Sequence, residues 1–256
     1  MTIDRAASDG YKVAADAYER GRPGYPDAAI ERLVAELNIT PSATVVDIGA
    51  GTGRMAAALK RHTRNIVAVE PVESMRRKYQ SLHAGMPILA GTAEALPIRD
   101  HTMDAAVCAQ AFHWFDSQPA LREIGRVLKP GGRLGLVWNV RDESYDWVAQ
   151  LTRIMDPYAG DTPRFRSGKW REAFEAPSDF TPLQNSAMPQ VHLGSPSMVI
   201  DRIASISFIA ALPHLEKQRV LIAVNELIRT HPELAGKDQI EFPYETVLYW
   251  CTKKEG

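Results

Sequence analysis

The sequence has few cysteines, no excess of either charge and no long hydrophobic run. Among its 256 residues, 30 lysines and arginines are balanced by 31 aspartates and glutamates, for a formal net charge of −1. This balance lacks the basic footprint of a nucleic-acid-binding protein. The longest apolar stretches, Ile203–Leu212 and Ala105–Phe115, are too short to span a bilayer, so we expect no membrane segment.

The two cysteines, Cys108 and Cys251, fall in different predicted strands and do not have the spacing of a disulfide framework or a metal site. Residues Met1–Arg5 lack the basic start and apolar core of a secretion signal. Cysteine usage of this kind is typical of a reducing compartment. We therefore expect a cytoplasmic protein that holds no metal.

The central feature of the sequence is a glycine-rich turn between a buried strand and a helix. Val45–Ile48 is a short apolar run typical of a parallel strand covered on both faces, and Met55–Leu59 begins the helix. Gly49, Gly51 and Gly53 remove three side chains where the chain turns, which lets a ligand approach the backbone.

A second apolar strand, Ile66–Glu70, ends in a carboxylate about 20 residues further on, where folds of this type hold a ribose diol. The sequence therefore predicts a nucleotide-type ligand at the turn. Dinucleotide-binding proteins have a third glycine three residues after the second, and Arg54 occupies that position here. A nicotinamide-dependent oxidoreductase remains an alternative, which Arg54 disfavours.

The tighter Gly-x-Gly-x-Gly spacing, with Asp47 two residues ahead of it, resembles motif I of the class I S-adenosylmethionine-dependent methyltransferases. The resemblance implies that Asp47 serves the methionine end of the cofactor, directly or through water, and that Glu70 holds the ribose. It also implies that Ala50, Pro71 and Met75 lie against the cofactor with the glycines.

The first predicted helix is Asp27–Leu37. The segment just before it resembles one subgroup of that family, the methyltransferase type 11 or trans-aconitate methyltransferase-like proteins. The Tyr-x-x-x-Arg-Pro-x-Tyr-Pro signature of the subgroup is matched by Tyr18, Arg22, Pro23, Tyr25 and Pro26. The likeness implies that the segment covers the cofactor, that Arg22 pairs with the cofactor carboxylate and that Tyr18 borders the methyl group. A planar guanidinium suits a carboxylate because it donates two charge-assisted hydrogen bonds. A plain surface turn is the alternative.

Two further segments resemble the family at predicted strand ends. Thr92–Pro97 matches the segment that passes the adenine, with Ala93 and Glu94 as candidate contacts; the alternative is that Glu94 caps a short helix. Gln110 ends the predicted strand Met103–Gln110 and is a candidate contact of the methionine part.

The residues after that strand match Gln-x-x-His-Trp-Phe of the same subgroup. His113, Trp114 and Trp138 are therefore candidate acceptor-binding residues, and His113 and Tyr18 are candidate catalytic residues. For a hydroxyl acceptor His113 would be the general base, whereas a carboxylate needs no deprotonation at neutral pH. An inert, hydrogen-bonded histidine is the alternative.

The resemblance implies an α/β protein with the Rossmann-like class I methyltransferase fold. We expect a single domain over 1–256, with an N-terminal cover and first helix at 1–40, a cofactor-binding core at 41–138, and a substrate-side helical insertion with closing strands at 139–256. The sheet should have seven mostly parallel strands with helices on both faces, and the last strand, Glu241–Cys251, should insert antiparallel between the fifth and sixth.

Periodicity and turn residues predict the remaining elements. The predicted helices are Val72–Leu82, Gln118–Leu128, Asp142–Met155, Ser195–Leu212 and Leu215–Arg229, and the predicted strands are Pro87–Gly91, Arg133–Trp138 and Phe180–Val191.

The implied activity is methyl transfer from S-adenosylmethionine, with S-adenosylhomocysteine as product, to a carboxylate or hydroxyl oxygen of a small molecule, by a monomer or a homodimer. N- or C-methylation of a metabolite and non-catalytic cofactor binding are alternatives. The basic residues of Arg164–Arg171 suggest an exposed helix face or, less favoured, a site for an acidic substrate. Methylation of protein or nucleic acid is disfavoured, because no Asn/Asp-Pro-Pro-Tyr-type segment follows the fourth strand.

Overall fold

The computed structural model describes residues 21–175 and 178–255, so the predicted contact of Tyr18 lies outside the described residues. Contacts divide the chain into two compact units. Among the described residues, the larger unit comprises 24–139, 163–175, 178–188 and 246–255, and the smaller unit comprises 21–23, 140–162 and 189–245. Each unit has its own hydrophobic core.

Seven strands form one sheet. They are β1 (Thr44–Ile48), β2 (Asn65–Val69), β3 (Ile88–Leu89), β4 (Met103–Ala109), β5 (Leu128–Arg141), β6 (Gln184–Gly194) and β7 (Ile240–Thr252). Their order is β3-β2-β1-β4-β5-β7-β6, which confirms the predicted place of the last strand between the fifth and sixth. The pairs β1–β2, β1–β4, β2–β3 and β4–β5 are parallel.

The last strand runs antiparallel to β5, as predicted. The backbone N–H of Lys253 donates to Gly132, and the N–H of Asp142 donates to Pro243, so residue numbers rise along one strand as they fall along the other. Because β5 separates β4 from β7, Cys108 and Cys251 lie on non-adjacent strands, and both are free buried thiols. Burial raises the pKa of Cys108, and it raises the pKa of Cys251 to about 12.

Nine α-helices lie in the described part of the chain. They are α1 (Asp27–Glu36), α2 (Arg54–Leu59), α3 (Glu73–Leu82), α4 (Ser117–Val127), α5 (Asp146–Met155), α6 (Glu172–Glu175), α7 (Pro196–Ala204), α8 (Ser207–Ala210) and α9 (His214–Thr230). Short 3₁₀ turns cover Phe112–Trp114, Asp156–Tyr158, Phe165–Ser167 and Lys169–Arg171. None of the helices in residues 21–175 and 178–255 is both long and apolar enough to cross a membrane.

The core of the larger unit is built on the central strands β1 and β4. Val45 and Val107 are fully buried, and Ile30 and Leu33 of α1 join them in the same cluster at helical spacing. Asp47 lies in the middle of this apolar strand with no exposed surface. A buried carboxyl in a parallel strand is costly unless it has partners, so its position calls for a functional explanation.

The core of the smaller unit is largely helical. Trp147 of α5, Ile203 of α7 and Val224 of α9 cluster around Phe242 of β7. The buried residues of α5 and α9 recur at helical spacing, as predicted: Trp147, Val148, Leu151 and Met155 in α5, and Val220, Val224, Leu227 and Ile228 in α9.

Two predicted boundaries were wrong in the smaller unit. The predicted helix Ser195–Leu212 is two helices, α7 and α8, and the hydroxyl of Ser205 between them donates to the Arg202 carbonyl at 2.9 Å. A serine side chain that bonds to nearby backbone competes with helix continuation. The predicted helix from Asp142 begins only at Asp146, because the Asp142 carboxylate accepts from Ser144 and closes a turn.

Two predicted strands also differ from the structure. The fifth strand begins at Leu128 instead of Arg133. It pairs with β4 at Met103–Leu128 and again at Ala105–Arg133, so five residues of β5 lie opposite two residues of β4. The extra residues form an irregularity of the kind that a glycine permits. The predicted strand Phe180–Val191 spans Gln184–Gly194, and Phe180 forms an isolated bridge to Lys253.

Candidate active site

The predicted cofactor residues of the larger unit gather at the carboxyl ends of neighbouring strands. The first strand lies in the middle of the sheet, between β2 and β4, and the chain leaves both β1 and β4 at the same edge. Ligands of open α/β sheets bind at such a reversal of strand order. The glycine turn follows β1, Glu70 follows β2, and Gln110 follows β4.

All three glycines of the turn have a backbone conformation that favours glycine, and two of them also have no room for a Cβ. Gly49, Gly51 and Gly53 all have positive φ, at 68°, 57° and 89°. A Cβ on Gly53 would lie 2.6 Å from the rings of Tyr79 and His83, and one on Gly49 would lie 2.7 Å from Ala111. A Cβ on Gly51 would meet nothing within 4 Å. The open space over Gly51 is where a ligand can reach the backbone.

Glu70 holds the turn in place. Its two carboxylate oxygens accept the N–H groups of Gly51 and Val72, each at 2.9 Å, in a nearly buried position. Burial raises the pKa of Glu70, and the two backbone hydrogen bonds oppose that rise. The carboxylate therefore fixes the conformation of the loop. Contact between Glu70 and a ribose stays a prediction.

Asp47 is the buried acid of the site. One carboxylate oxygen, Oδ2, accepts the N–H of Ala56 at 3.1 Å, and the other, Oδ1, is buried without a hydrogen-bond partner. The pKa of Asp47 is raised to about 7, chiefly by burial; the Ala56 hydrogen bond opposes the rise and the nearby Glu70 adds to it. The unpartnered oxygen suits a positively charged hydrogen-bond donor from a ligand.

Two residues at the carboxyl end of α3, Tyr79 in its last turn and His83 directly after it, were missed by the sequence analysis. Tyr79 is fully buried, and its hydroxyl has no hydrogen-bond partner among the described residues. The His83 ring donates Nε2–H to the Thr52 carbonyl at 2.9 Å, which ties α3 to the glycine turn. Tyr79 follows the buried Met75 by four residues, so helical periodicity predicts that it is a core residue. Periodicity does not show that it lies beside the glycine turn.

The predicted adenine segment and its neighbours have mixed surroundings. Ala93 is buried, whereas the Glu94 carboxylate accepts the N–H of Asp116 at 2.9 Å, just before α4. Glu94 therefore bonds to backbone ahead of α4, 22 residues further along the chain, and its predicted adenine contact stays a prediction. Gln110 has φ of 58°, unusual for a residue other than glycine, and its N–H donates to Val137 at 2.8 Å. Pro71 accepts from the Arg76 guanidinium at 2.6 Å.

His113 is held by Trp138, another residue predicted to bind the methyl-accepting substrate. The indole Nε1–H of Trp138 donates to Nδ1 of His113 at 3.1 Å. A neutral imidazole that accepts at Nδ1 carries its proton on Nε2, so Nε2 is a donor. The ring of Trp114 lies 5.0 Å from that of His113, centre to centre.

Trp138 connects His113 to an aromatic cluster, which consists of Trp138, Phe165, Trp170 and Tyr249. Ring centres lie 4.6 Å apart for Trp138 and Trp170, and 5.0 Å apart for Trp138 and Phe165. The guanidinium carbon of Arg171 is 4.7 Å from the Trp170 ring centre, and its Nη2 donates to the Tyr249 hydroxyl. Within the described ranges no carboxylate forms an ion pair with Arg171.

The favoured prediction for the basic segment was therefore wrong at Arg171. Two 3₁₀ turns replace an exposed helix, and Arg171 stacks on aromatic faces. The signal available was the alternation of aromatic and basic residues at Phe165, Trp170 and Arg171, which indicates cation–π contact.

Arg22 belongs to the smaller unit. Its Nη2 donates to the Ser205 carbonyl at 3.4 Å. The predicted contact with the cofactor carboxylate stays a prediction.

The chain has close relatives among known proteins. A family described as methyltransferase domain matches residues 46–136. An uncharacterized methyltransferase of Mycobacterium tuberculosis is 39% identical over 258 residues, which cover 98% of this chain and 99% of the relative. An uncharacterized methyltransferase-like protein of Schizosaccharomyces pombe is 34% identical over 238 residues, 93% of each chain. The crystal structure of YcgJ from Bacillus subtilis has the same fold, with a TM-score of 0.59, 22% identity, and coverage of 90% of this chain and 100% of YcgJ.

Proposed function

We propose that this chain, which belongs to the S-adenosylmethionine-dependent methyltransferases, transfers the methyl group to an oxygen of a small-molecule acceptor, a carboxylate in preference to a hydroxyl. The tautomer of His113 is the observation that carries the choice of acceptor. The free, buried thiols of Cys108 and Cys251 fit a reducing, cytoplasmic setting.

The residues of the larger unit fit the cofactor. The buried, unpartnered Oδ1 of Asp47 offers an acceptor to the ammonium of its methionine end. The open space over Gly51 admits the body of the ligand, and Glu70 offers a carboxylate to the ribose. Bound S-adenosylmethionine supplies an already electrophilic methyl group, so the protein needs no nucleophile of its own. Its residues orient donor and acceptor and exclude water.

The hydrogen bond from Trp138 argues against a basic role for His113. A general base needs a free lone pair within reach of the acceptor proton. On His113 the lone pair of Nδ1 already accepts the Trp138 indole, and Nε2 carries the proton. The ring can therefore donate Nε2–H to an acceptor oxygen and hold it in line. A carboxylate matches this role because it is ionised at neutral pH and accepts hydrogen bonds.

Arg171 supports an acidic acceptor. Its guanidinium is held over Trp170 and hydrogen-bonded to Tyr249, both of which belong to the aromatic cluster that contacts Trp138. An arginine that is fixed in this way loses little conformational freedom when it binds a carboxylate.

Methyl transfer to a panel of small carboxylic acids and phenols tests the proposal, with His113→Gln and His113→Ala measured beside the parent. Glutamine keeps an N–H donor near the position of Nε2 but cannot act as a base. We expect carboxylic acids to be methylated, His113→Gln to retain kcat within about tenfold, and His113→Ala to lose about 10- to 100-fold. A preference for phenols, with kcat rising through pH 6 to 7 in the parent and abolished in His113→Gln, would refute it.

A further inference from the structure

Two neighbouring arginines of α3 have different surroundings. Arg77 is exposed and pairs with Glu73 of the same helix, with its Nη2 2.6 Å from Oε1 of the carboxylate. The half-buried Arg76 instead reaches back past the start of the helix, and its Nη1 donates to the carbonyls of Glu70 at 2.9 Å and Pro71 at 2.6 Å. Helical side chains tilt toward the N-terminus of their helix, which makes this reach possible. Arg76 therefore holds the turn that joins β2 to α3.

The same turn places the carboxylate of Glu70 beside the open space over Gly51. Oε2 accepts the N–H of Gly51, and Oε1 accepts the N–H of Val72. A Cβ on Gly51 would meet nothing within 4 Å, so a ligand can come close to this carboxylate. Because a carboxylate has about four lone-pair positions, each oxygen can accept one further hydrogen bond. The arrangement suits a ligand that carries two neighbouring hydroxyl groups.

Glu70 accepts hydroxyl groups most strongly while it is ionised. Burial raises its pKa, and the positive charge of Arg76 opposes that rise together with the two backbone hydrogen bonds. The neighbouring like charge is Asp47, whose pKa is raised chiefly by burial and in part by Glu70. Ionising both buried carboxylates costs free energy, and the charge of Arg76 offsets part of that cost.

We propose that Arg76 is a positioning residue for a ligand diol: it fixes the backbone at Glu70 and keeps the Glu70 carboxylate ionised while its oxygens accept two hydroxyl groups. The inference rests on the proposed function, because the ribose of the cofactor supplies the diol. It goes beyond that function by giving a role to a residue that acts through Glu70. In the sequence, Arg76 belongs to a basic run on a predicted helix, and such a run usually indicates an exposed face.

Substitutions at the two arginines separate this role from general support of α3. Arg76→Met removes the charge and the hydrogen-bond donors, and Arg76→Lys keeps the charge without the planar fork. Arg77→Met is the matched control, because it removes an exposed arginine one residue further along the same helix. Thermal unfolding of each protein without ligand checks that the variants are folded.

Calorimetric titration compares S-adenosylhomocysteine with its 2′,3′-dideoxy analogue, which lacks both ribose hydroxyl groups. The ratio of the two Kd values reports the diol alone, since both ligands keep the ammonium group proposed to bind Asp47. In the parent and in Arg77→Met, the analogue should bind about 10- to 100-fold more weakly at neutral pH. In Arg76→Met this discrimination should fall about tenfold, and Arg76→Lys should restore part of it.

The pH dependence of the same ratio is the readout that a merely structural role would not change. Removal of the positive charge raises the pKa of Glu70, so Arg76→Met should lose discrimination at low pH. Discrimination should return as the pH rises through that higher pKa and Glu70 ionises. The parent and Arg77→Met should hold their discrimination to lower pH.

Two results would overturn the inference. One is a ratio in Arg76→Met that equals the ratio in Arg77→Met at every pH. The other is equal weakening of both ligands in Arg76→Met, since Arg76 would then support α3 without serving the diol. A parent protein that binds both ligands equally would contradict the ribose contact of the proposed function, and the inference with it. A parent that discriminates between them but methylates no carboxylic acid would contradict the proposed acceptor alone.

Discussion

Asp47 shows how one residue joins the fold to the function. It occupies a fully buried strand position where a valine would pack, and only one of its oxygens has a partner. Its pKa of about 7 lies well above the value of about 3.9 expected for an unfolded chain. The folded chain therefore holds the proton more tightly, and ionisation of Asp47 costs folding free energy.

This raised pKa predicts that Asp47→Asn stabilises the unliganded protein in a pH-dependent way. The cost of ionisation is absent below about pH 4, grows as the pH rises and is complete above about pH 7. Three pKa units correspond to at most about 4 kcal/mol, from which an unpaired amide subtracts about 1–3 kcal/mol. We expect a gain on the order of 1–3 kcal/mol at pH 8.5 that shrinks toward pH 5, measured by denaturant unfolding.

The matched control for this prediction is Asp238→Asn, because Asp238 is exposed. It should leave the free energy of unfolding unchanged at both pH values. The same Asp47→Asn protein should bind S-adenosylhomocysteine more weakly, since the amide cannot pair with the ammonium as a carboxylate does. Equal stability of Asp47→Asn and the parent at pH 8.5 would mean that Asp47 is not under strain.

At the scale of single residues, the sequence identified the candidate site residues but not the side chains that contact them. The glycines, Asp47 and Glu70 follow from a local motif, and a motif shows which residues turn the chain. The tautomer of His113 depends on Trp138, which is 25 residues away, and the stacking of Arg171 depends on Tyr249 on the last strand. Such contacts arise only when distant strands pair.

The glycine turn is the element whose conformation limits the site most. Gly51 and Gly53 both have positive φ, but only Gly53 is packed against side chains. Gly85 has φ of 83° and open space around it in the exposed loop after α3, so it provides a control for backbone strain alone.

Alanine at each of these positions should separate strain, packing and binding. Gly51→Ala and Gly85→Ala should each cost about 1–2 kcal/mol of stability, from the left-handed backbone alone. Gly53→Ala should cost about 1–3 kcal/mol more, because its methyl group would overlap Tyr79 and His83. Among the two equally destabilised variants, only Gly51→Ala should weaken S-adenosylhomocysteine, by tenfold or more. Parental affinity in Gly51→Ala would mean that the open space is not the ligand site.

Elements with strong local patterns were predicted well, and those set by side-chain bonds to the backbone were not. The family and the place of the antiparallel last strand between the fifth and sixth are confirmed, whereas the trans-aconitate-like subgroup stays a prediction. Hydrophobic periodicity continues across Ser205, so it cannot reveal that a hydroxyl ends α7 there. The same limit applies to the turn at Asp142, where the carboxylate accepts the backbone N–H of Ser144, two residues further on.

At the scale of the whole molecule, the chain contains two units with separate cores. A net charge of −1 gives no long-range attraction to polyanions. Recognition must therefore depend on local features such as the unpartnered oxygen of Asp47 and the open glycine turn. The cost of keeping the unpartnered Oδ1 of Asp47 buried should be recovered when a ligand binds.

Ligand binding should accordingly stabilise the whole protein, and the choice of ligand distinguishes the two nucleotide hypotheses. S-adenosylhomocysteine at about 100 times its Kd should add about 2.7 kcal/mol, or roughly 5–10 °C in melting temperature for a chain of this size. NADH should add nothing, because Arg54 stands where the dinucleotide motif needs its third glycine. Differential scanning calorimetry measures both shifts in one buffer, with Gly51→Ala as the binding-deficient control. Stabilisation by NADH alone would reverse the interpretation of the glycine turn, since the same open backbone would then hold a pyrophosphate.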